Sequence, residues 1–367
     1  MLDTIIRIRR ALHQIPELGY ELEKTQKYVI DELKKTTAKL DIAAPSGVIA
    51  FFDFGKEESI AFRADMDALP MEEKSGVPFA SCHTGKMHAC GHDGHMAILL
   101  SFAHVLSNRK TASNKNAVLV FQPAEEAGNG AKKMLETDFM EKYNVTEIYA
   151  LHVEPSIPKG TIAAKSGAFM ARSCEIHVFG YGKSAHIAKA HEGIDALEMS
   201  ARFYLRAMDE IEAKYKTEPH LFKFGRFVSG NANNVLSPLT QIDGSLRAFD
   251  DEVFKNMKND IQKIADETAK AYGGRIEAVT DEGYPPVINS ASCYTRLKKA
   301  SKGLPFTELK APYMTAEDFS CYLKHAPGLM FNIGIGTETE LHSNAFRFDE
   351  DGLVNGLKAF IGLFDEA

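Results

Sequence analysis

The spacing of hydrophobic residues in the first part of the chain predicts alternating helices and strands. Apolar residues recur at helical intervals over residues 2–14 and 22–38, and a break at Ile15–Gly19 separates these two predicted helices. Short β-rich runs flanked by turn residues predict strands at 48–52, 59–63, 117–121 and 147–151. The apolar segment 96–105 has the character of a buried helix. Together these elements predict a layered α/β domain.

The pattern of elements changes after Gly167. The chain then carries a predicted strand, helix, two strands, helix and strand, at 173–180, 194–215, 222–228, 240–249, 251–272 and 275–280. This βαββαβ order is that of the ferredoxin-like unit. We therefore predict one α/β domain at 1–170 and 283–367, into which an α+β domain at 171–282 is inserted.

The composition narrows the class of protein. A chain of 367 residues is too long for one ordinary core and favours about two domains. Its 44% hydrophobic and 25% charged residues are typical of a folded, soluble protein. The net charge of -7 argues against a nucleic-acid partner, because phosphate binding needs a basic surface.

Three further features bear on the compartment. No apolar run in the sequence approaches the ~20 residues that span a bilayer, and the N-terminal segment has no signal-peptide pattern. The five cysteines lack paired spacing, so they do not indicate a disulfide framework. We expect a cytoplasmic protein that binds neither nucleic acid nor a membrane.

The segment His88–His95 concentrates metal-binding side chains. It holds three imidazoles, one thiol and one carboxylate, and Gly91 and Gly94 allow tight turns between them. Imidazole and thiolate groups are common ligands of zinc and related divalent ions. The segment therefore predicts a metal site.

Further donors occur downstream of this cluster. Glu125, Glu126 and His152 each follow a predicted strand, and ligands of α/β sheets gather at the carboxyl ends of the strands. His342 follows the glycine-rich segment Ile333–Gly336. These donors suffice for more than one divalent ion, so the pattern predicts a metal-dependent hydrolase.

Motifs spread over nearly the whole chain resemble those of the peptidase family M20 amidohydrolases. They are Arg9–Leu18, Arg63–Pro70, Met87–Asp93, Phe121–Glu126, Ala150–His152, Ala316–Phe319 and Leu341–Ser343. The branch they resemble holds aminoacylases, hippurate hydrolases, plant indole-acetyl-amino-acid hydrolases and bacterial N-acetyldiaminopimelate deacetylases. The resemblance implies a zinc-peptidase-like α/β catalytic domain with an inserted ferredoxin-like lid and dimerisation domain.

The resemblance also implies a ligand set. It assigns metal binding to Cys90, His92, Glu126, His152 and His342, with two divalent ions per subunit, which could be manganese, zinc, cobalt or nickel. Two adjacent ions can divide water activation from polarisation of the carbonyl. The alternatives are an inert buried thiol at Cys90 and an ordinary strand-end histidine at His152.

The resemblance implies roles for three carboxylates near these ligands. Glu125 would be the general base that takes a proton from water and passes it to the leaving amine. Asp67 and Asp93 would orient ligand imidazoles, although Asp67 could instead cap a turn before Leu69-Pro70. Packing on a helix face or beside the ligands accounts for His13, His88 and His95.

The inserted domain carries three candidate residues, each matched to a family motif. His186 would help to hold the oxyanion, and in related dimers this histidine reaches the partner's active site. Asn234 and Arg247 would bind the substrate, and Arg247 could clamp an α-carboxylate or form a surface ion pair. The chain departs from the family pattern at Ser184, Ala190 and Ser237.

We therefore expect a homodimeric enzyme that hydrolyses the amide bond of N-acyl-L-amino acids. N-acetyl-diaminopimelate deacetylation in lysine biosynthesis is the favoured assignment, and a general aminoacylase or a hippurate hydrolase is the alternative. Two other hypotheses are a metal-free hydrolase with Cys90 as nucleophile and a metal-binding protein without catalysis.

Overall fold

The computed structural model describes residues 1–43, 45–109 and 114–367. They form two compact units. The first consists of Met1–Phe169, Ile288–Pro312 and Asp318–Ala367, and the second of Met170–Val287 and Tyr313–Glu317. Within the described ranges, no helix combines the length and the apolar character that crossing a bilayer requires.

The first unit begins with two helices and then builds most of a large sheet. Up to its first boundary its elements are α1 (Leu2–His13), α2 (Glu23–Leu33), β1 (Lys39–Ala43), β2 (Gly47–Phe52), β3 (Ser59–Asp65), α3 (His92–Ser107), β4 (Asn116–Gln122), α4 (Gly130–Leu135), α5 (Phe139–Lys142), β5 (Val145–Glu154), β6 (Ile162–Ala164) and β7 (Gly167–Met170). The later elements are β12 (Val287–Asn289), α8 (Ala291–Ala300), β13 (Phe306–Glu308), β14 (Gly328–Gly334) and α9 (Leu353–Asp365).

The sheet of the first unit has eight strands in the order β1-β2-β4-β3-β5-β14-β6-β13. The central strands β4, β3, β5 and β14 are parallel, and every residue of β3, β4 and β14 is buried. Such continuous burial is typical of parallel strands covered on both faces. Because these strands share one direction, their carboxyl ends lie along one edge of the sheet.

Helix α3 is buried along most of its length and packs on this sheet. Its apolar residues join one core with those of α1 and α9, and Phe62 of β3 contacts Phe102 of α3 and Phe360 of α9 at ring-centroid distances of 4.9 and 5.0 Å. A helix that is apolar on all sides is stable only inside such a core. The core therefore fixes the position of α3, and with it His92 in the first turn.

The second unit contains β8 (Arg172–Tyr181), α6 (Ala196–Lys214), β9 (His220–Ser229), β10 (Leu239–Ala248), α7 (Asp251–Tyr272) and β11 (Arg275–Thr280). Its four strands form an antiparallel sheet in the order β11-β8-β10-β9. Residues of α6 and α7 form one core with Ile176, Ile242 and Leu246 of the sheet. The predicted fold class, an α/β domain with an inserted ferredoxin-like α+β domain, is confirmed.

Several predicted elements differ from the observed ones. The helix predicted at 22–38 ends at Leu33. Residues 39–43, for which no element is predicted, form strand β1. The helix predicted at 96–105 starts earlier, at His92. The hydrophobic pattern predicts neither the strand at Gly328–Gly334 nor the helix at Leu353–Asp365, yet both belong to the buried core.

Candidate metal centre

The five predicted metal ligands come from four parts of the first unit. Cys90 and His92 flank Gly91, which precedes α3 with a left-handed φ of 84°. Glu126 follows β4, and His152 lies near the end of β5. His342 lies after β14, and its backbone N–H donates to the Ala89 carbonyl at 2.9 Å. The carboxyl edge of the sheet thus gathers residues that are far apart in the chain.

The side chains form two groups that share one thiol. Cys90, His92 and His152 make one group, and Cys90, Glu126 and His342 make the other; within each group the ligand atoms lie within 4.8 Å of one another. Cys90 Sγ lies 3.4 Å from His152 Nε2, and Glu126 Oε1 lies 3.2 Å from His342 Nε2. One sulfur can therefore serve both groups.

Hydrogen bonds fix the tautomers of two imidazoles. His92 Nδ1 lies 2.8 Å from the Asp67 carbonyl, and His152 Nδ1 lies 2.7 Å from the Val153 carbonyl. A carbonyl oxygen only accepts, so both imidazoles carry a proton on Nδ1, and in the neutral rings both Nε2 atoms present lone pairs. His92 Nε2 is buried without a hydrogen-bond partner in the described chain. An orphaned lone pair beside a thiol and a carboxylate fits a divalent metal ion.

The charges of the cluster lead to the same conclusion. Burial raises the pKa of Cys90 well above its ordinary value, and the neighbouring carboxylate of Glu126 raises it further. Burial together with His95 lowers the pKa of His152 to about 3. The imidazole is therefore neutral, and the thiolate form of Cys90 requires a cation in contact with it. A divalent ion supplies that charge.

The Asp67 side chain holds the turn that carries the two glutamates. Its Oδ1 and Oδ2 accept the backbone N–H groups of Glu125 and Glu126 at 2.9 and 3.0 Å. Burial raises its pKa to about 6. Asp67 therefore contacts the imidazole of His92 through its backbone carbonyl, whereas its carboxylate caps a turn. The carboxylate lies 3.9 Å from His92 Nδ1.

Asp93 also differs from its predicted role. Its Oδ2 accepts from Arg9 Nε at 3.0 Å and from His13 Nδ1 at 2.7 Å, and its Oδ1 accepts from the Gly94 N–H at 2.9 Å. Adjacent residues of a helix point about 100° apart, so Asp93 is directed toward α1 while its neighbour His92 is directed toward the other ligands. Asp93 joins two helices and orients no ligand imidazole through these bonds.

Two buried residues next to the ligands lie outside the predicted site. Asp65 at the end of β3 binds His95 Nδ1 at 2.6 Å and Arg63 Nη1 at 2.6 Å. The other nitrogen of His95, Nε2, accepts the Val153 N–H at 3.0 Å. The sequence signal that places His95 near the ligands is its spacing, because it lies three residues after His92 on the same helix face.

The three candidate residues of the inserted domain lie within the second unit. His186 is exposed and its backbone bridges to Val235, while the Asn234 carbonyl accepts the Ile187 N–H at 3.0 Å. His186 and Asn234 therefore occupy adjacent segments. Arg247 is half-buried on β10 and donates to the Met314 carbonyl at 2.5 Å and to Ser245 Oγ at 3.3 Å.

The departures from the family pattern lie in this same region. Ser237 is buried where the family has a proline, and its hydroxyl donates to the Leu239 carbonyl at 2.8 Å and contacts Ser229 Oγ at 2.8 Å. Ser184 and Ala190 are both exposed. The serine hydroxyl at position 237 thus fastens the start of β10 to the end of β9.

Comparisons with known proteins agree with this geometry. The model of peptidase family M20/M25/M40 matches residues 61–366. The chain is 34% identical to the N-acetyldiaminopimelate deacetylase of Ligilactobacillus salivarius, over 98% of this chain and 96% of that protein. Its identity to the protein of the same name from Shouchella clausii is 32%, over 96% and 95% of the two chains.

A solved structure is similar over the full length. The YXEP protein of Bacillus subtilis, described as a dinuclear metal-binding peptidase of the M20 family, is 29% identical to this chain with a TM-score of 0.85. The match covers 99% of this chain and 97% of that one. The chain therefore belongs to peptidase family M20/M25/M40.

Proposed function

We propose that this protein hydrolyses the acetyl amide bond of N-acetyl-diaminopimelate to diaminopimelate and acetate. The observation that carries the proposal is the pair of ligand groups joined at Cys90, with Glu125 beside them. The names of the relatives at 32–34% identity support the substrate. This reaction would place the enzyme in lysine biosynthesis.

We propose that two divalent ions occupy the two groups, one with Cys90, His92 and His152 and the other with Cys90, Glu126 and His342. Thiolate and imidazole suit zinc, cobalt or nickel, and the carboxylate also accepts manganese. When bound, such ions polarise the amide carbonyl and make a water molecule more acidic.

Glu125 is the proposed general base. Its carboxylate lies within 4.8 Å of the ligand atoms of His92 and Glu126, and Asp67 holds its backbone N–H. Glu126 faces His342 and His92, so one of two adjacent carboxylates is committed to the cluster while the other serves proton transfer. Glu125 would take a proton from the attacking water and deliver it to the leaving amine nitrogen.

The residues of the second unit complete the proposed reaction. His186 would donate to the oxyanion, and Asn234 and Arg247 would bind the substrate. The exposure of His186 supports this role, because its Nδ1 accepts the Ala188 N–H at 3.2 Å and the proton of the neutral ring then lies on Nε2, which can donate to an oxyanion. The hydrogen bonds from Arg247 to Ser245 and Met314 end on neutral oxygens, so its positive charge can still attract a carboxylate.

The metal-free hypothesis is disfavoured by the surroundings of Cys90. A cysteine nucleophile needs a lowered pKa, from a nearby cation or a helix N-terminus. Burial and Glu126 raise the pKa of Cys90 instead. Without a cation this side chain is a neutral thiol at pH 7.

We also propose that the protein is a homodimer that works in the cytoplasm. Cys82, Cys90, Cys174, Cys293 and Cys321 form no disulfide, which suits a reducing compartment. Exposed apolar side chains at one edge of the second unit support the dimer, because a second copy of the chain would bury them.

The test is acetate release from N-acetyl-diaminopimelate and benzoate release from hippurate, after chelation and after re-addition of zinc, cobalt or manganese. For Glu125→Gln we expect kcat to fall by about 10²–10⁴-fold with unchanged bound metal. The matched control is Glu136→Gln, which removes an exposed carboxylate paired with Lys133 and should leave kcat unchanged. Turnover that survives chelation, or hippurate cleavage as fast as that of acetyl-diaminopimelate, would contradict the proposal.

A further inference from the structure

A group of buried polar side chains adjoins the metal ligands, and we call it the Arg63 network. Its members are each at most 1% exposed, and they are Arg63, Asp65, His95, Gln122, Asp318 and Tyr322. Arg63 donates to Asp65 Oδ2 at 2.6 Å, to Asp318 Oδ1 at 3.0 Å and to Gln122 Oε1 at 2.9 Å. Burying these charges is costly unless each is paired, and here each one is.

His95 connects this network to the backbone of β5. Its Nε2 lies 3.0 Å from the Val153 N–H, which can only donate, so Nε2 carries a lone pair. The proton therefore resides on Nδ1 and is donated to Asp65 Oδ1 at 2.6 Å. Both nitrogens are used, which leaves His95 unable to bind a metal ion and able to act only through its neighbours.

Val153 joins His95 to the ligand His152. Its N–H is held by His95, and its carbonyl accepts from His152 Nδ1 at 2.7 Å. The ring of His95 also packs against that of His152, with centroids 4.6 Å apart. Two contacts from one side chain thus determine how His152 Nε2 faces Cys90 Sγ, 3.4 Å away.

We infer that His95 is a positioning residue, which through Asp65 and Val153 sets His152 in the orientation that binds an ion. The inference rests on the proposed ligand set and adds a residue that set does not contain. It predicts an effect on one ion only. The ion held by Cys90, His92 and His152 loses affinity without His95, whereas the ion held by Cys90, Glu126 and His342 does not.

The experiment uses two substitutions that each keep one of the two hydrogen bonds. In His95→Asn, the amide nitrogen replaces Nδ1 and can still donate to Asp65, but the side chain is too short for Val153. In His95→Gln, the amide oxygen replaces Nε2 and can still accept from Val153. The matched control is His13→Asn, another buried histidine whose Nδ1 binds an aspartate, Asp93, at 2.7 Å.

Each metal-free protein is titrated with Zn²⁺ against a chromophoric chelator, after circular dichroism has shown that it is folded. We expect wild type and His13→Asn to bind two ions. For His95→Asn we expect the affinity of one ion to fall by about 10–100-fold, as for other residues that orient ligands. For His95→Gln we expect a smaller loss of affinity, because this variant keeps the hydrogen bond to Val153, whose carbonyl holds His152.

Three results would overturn the inference. The first is wild-type affinity for both ions in His95→Asn and His95→Gln. The second is an equal loss in His13→Asn, since that would be a general effect of a buried histidine on stability. The third is a wild-type protein that binds fewer than two ions, which would mean that the proposed ligand set itself is wrong.

Discussion

Four histidines of the first unit differ in what their two ring nitrogens contact. In His92 and His152 one nitrogen meets a backbone carbonyl and the other faces the cluster. In His95 the two nitrogens meet a carboxylate and a backbone N–H. In His13 both nitrogens meet carboxylates, those of Asp93 and Glu73, at 2.7 and 3.1 Å. Contact of both ring nitrogens with carboxylates favours a protonated ring.

His13 should therefore make the stability depend on pH. Burial lowers its pKa, but Asp93 and Glu73 outweigh burial and raise it to about 9. A raised pKa stabilises the fold fully below the unfolded value of about 6.5, and this contribution is lost as the pH rises through about 9. We expect His13→Gln to lower the free energy of unfolding by about 2–3 kcal/mol at pH 6, with the difference shrinking toward pH 10.

Urea denaturation of both proteins at several pH values measures this difference. The comparison with the variant cancels the other groups that titrate over the same range. A difference that stays constant from pH 6 to pH 10 would mean that His13 is neutral in the folded protein.

The shared thiol leads to a second prediction for single residues. Cys90→Ala should abolish binding of both ions, whereas His342→Ala should remove only the ion held with Glu126. The measurement is bound zinc per chain by elemental analysis after reconstitution. Cys174→Ala, which removes another buried cysteine in the second unit, is the control and should bind as much zinc as wild type. Equal loss of bound zinc in Cys90→Ala and His342→Ala would contradict a thiol shared by the two groups.

The composition of this cluster could be predicted from the sequence, but its internal bonding could not. Cys90, His92 and Glu126 stand in motifs dense enough to mark them as donors. The role of His95 depends on Asp65 and Val153, which come from two different strands. No spacing within the helix shows where those strands lie, so the sequence predicts that His95 packs on the helix face or beside the ligands but not which groups its nitrogens contact.

At the level of elements, the start of α3 has no space for a side chain at position 91. Gly91 has a φ of 84°, and a Cβ built on it would lie 2.4 Å from Val153 Cγ2. The same residue, Val153, anchors His95 and His152. A side chain at position 91 would therefore clash with the side chain of Val153, the residue whose backbone contacts both histidines.

Gly91→Ala should accordingly lower the free energy of unfolding by more than the positive φ alone would. The control is Gly85→Ala, because Gly85 has a similar φ of 71° and its Cβ would meet nothing within 4 Å. For the control we expect the free energy of unfolding to fall by about 1 kcal/mol. For Gly91→Ala we expect a larger fall, together with weaker zinc binding. Thermal unfolding and zinc titration of both variants decide this, and equal effects would show that Val153 yields without consequence.

Each element that the hydrophobic pattern did not predict correctly has its own physical cause. Strand β1 lies at the sheet edge and has only one buried residue, Ala43, so it lacks a strong pattern. Strand β14 ends in Ile333-Gly334, and its glycines concealed a strand that is buried on both faces. Helix α2 ends at Leu33, whose carbonyl accepts the N–H and the hydroxyl of Thr36 at 2.9 and 2.6 Å, and threonine is a weak helix former. The long periodic helix α7 has the predicted bounds, Asp251–Tyr272.

At the scale of the whole molecule, the second unit presents an apolar edge. Strand β9 ends the sheet order β11-β8-β10-β9. Val228 on this strand is 47% exposed and Phe227 is 39% exposed, and Leu205 on α6 is 58% exposed. Edge strands with apolar side chains are sites for pairing with another chain.

We expect Val228→Lys to convert the proposed dimer to a monomer, because a second copy would bury this edge. The control is Ile42→Lys, an equally apolar and 60% exposed residue on β1, the edge strand of the first unit. Light scattering after size exclusion, over a range of concentrations, should show an increase of about tenfold or more in the dimer Kd for Val228→Lys only. A dimer unaffected by Val228→Lys would place the interface elsewhere.

The division of the first unit into separate stretches of chain has a consequence for biosynthesis. The group of Cys90, His92 and His152 is complete once β5 has left the ribosome. The other group also needs His342, which follows the whole second unit in the chain. Under the proposed ligand set, a chain that ends before position 342 lacks a ligand of the second ion, so only molecules whose translation has passed this position can hold both ions.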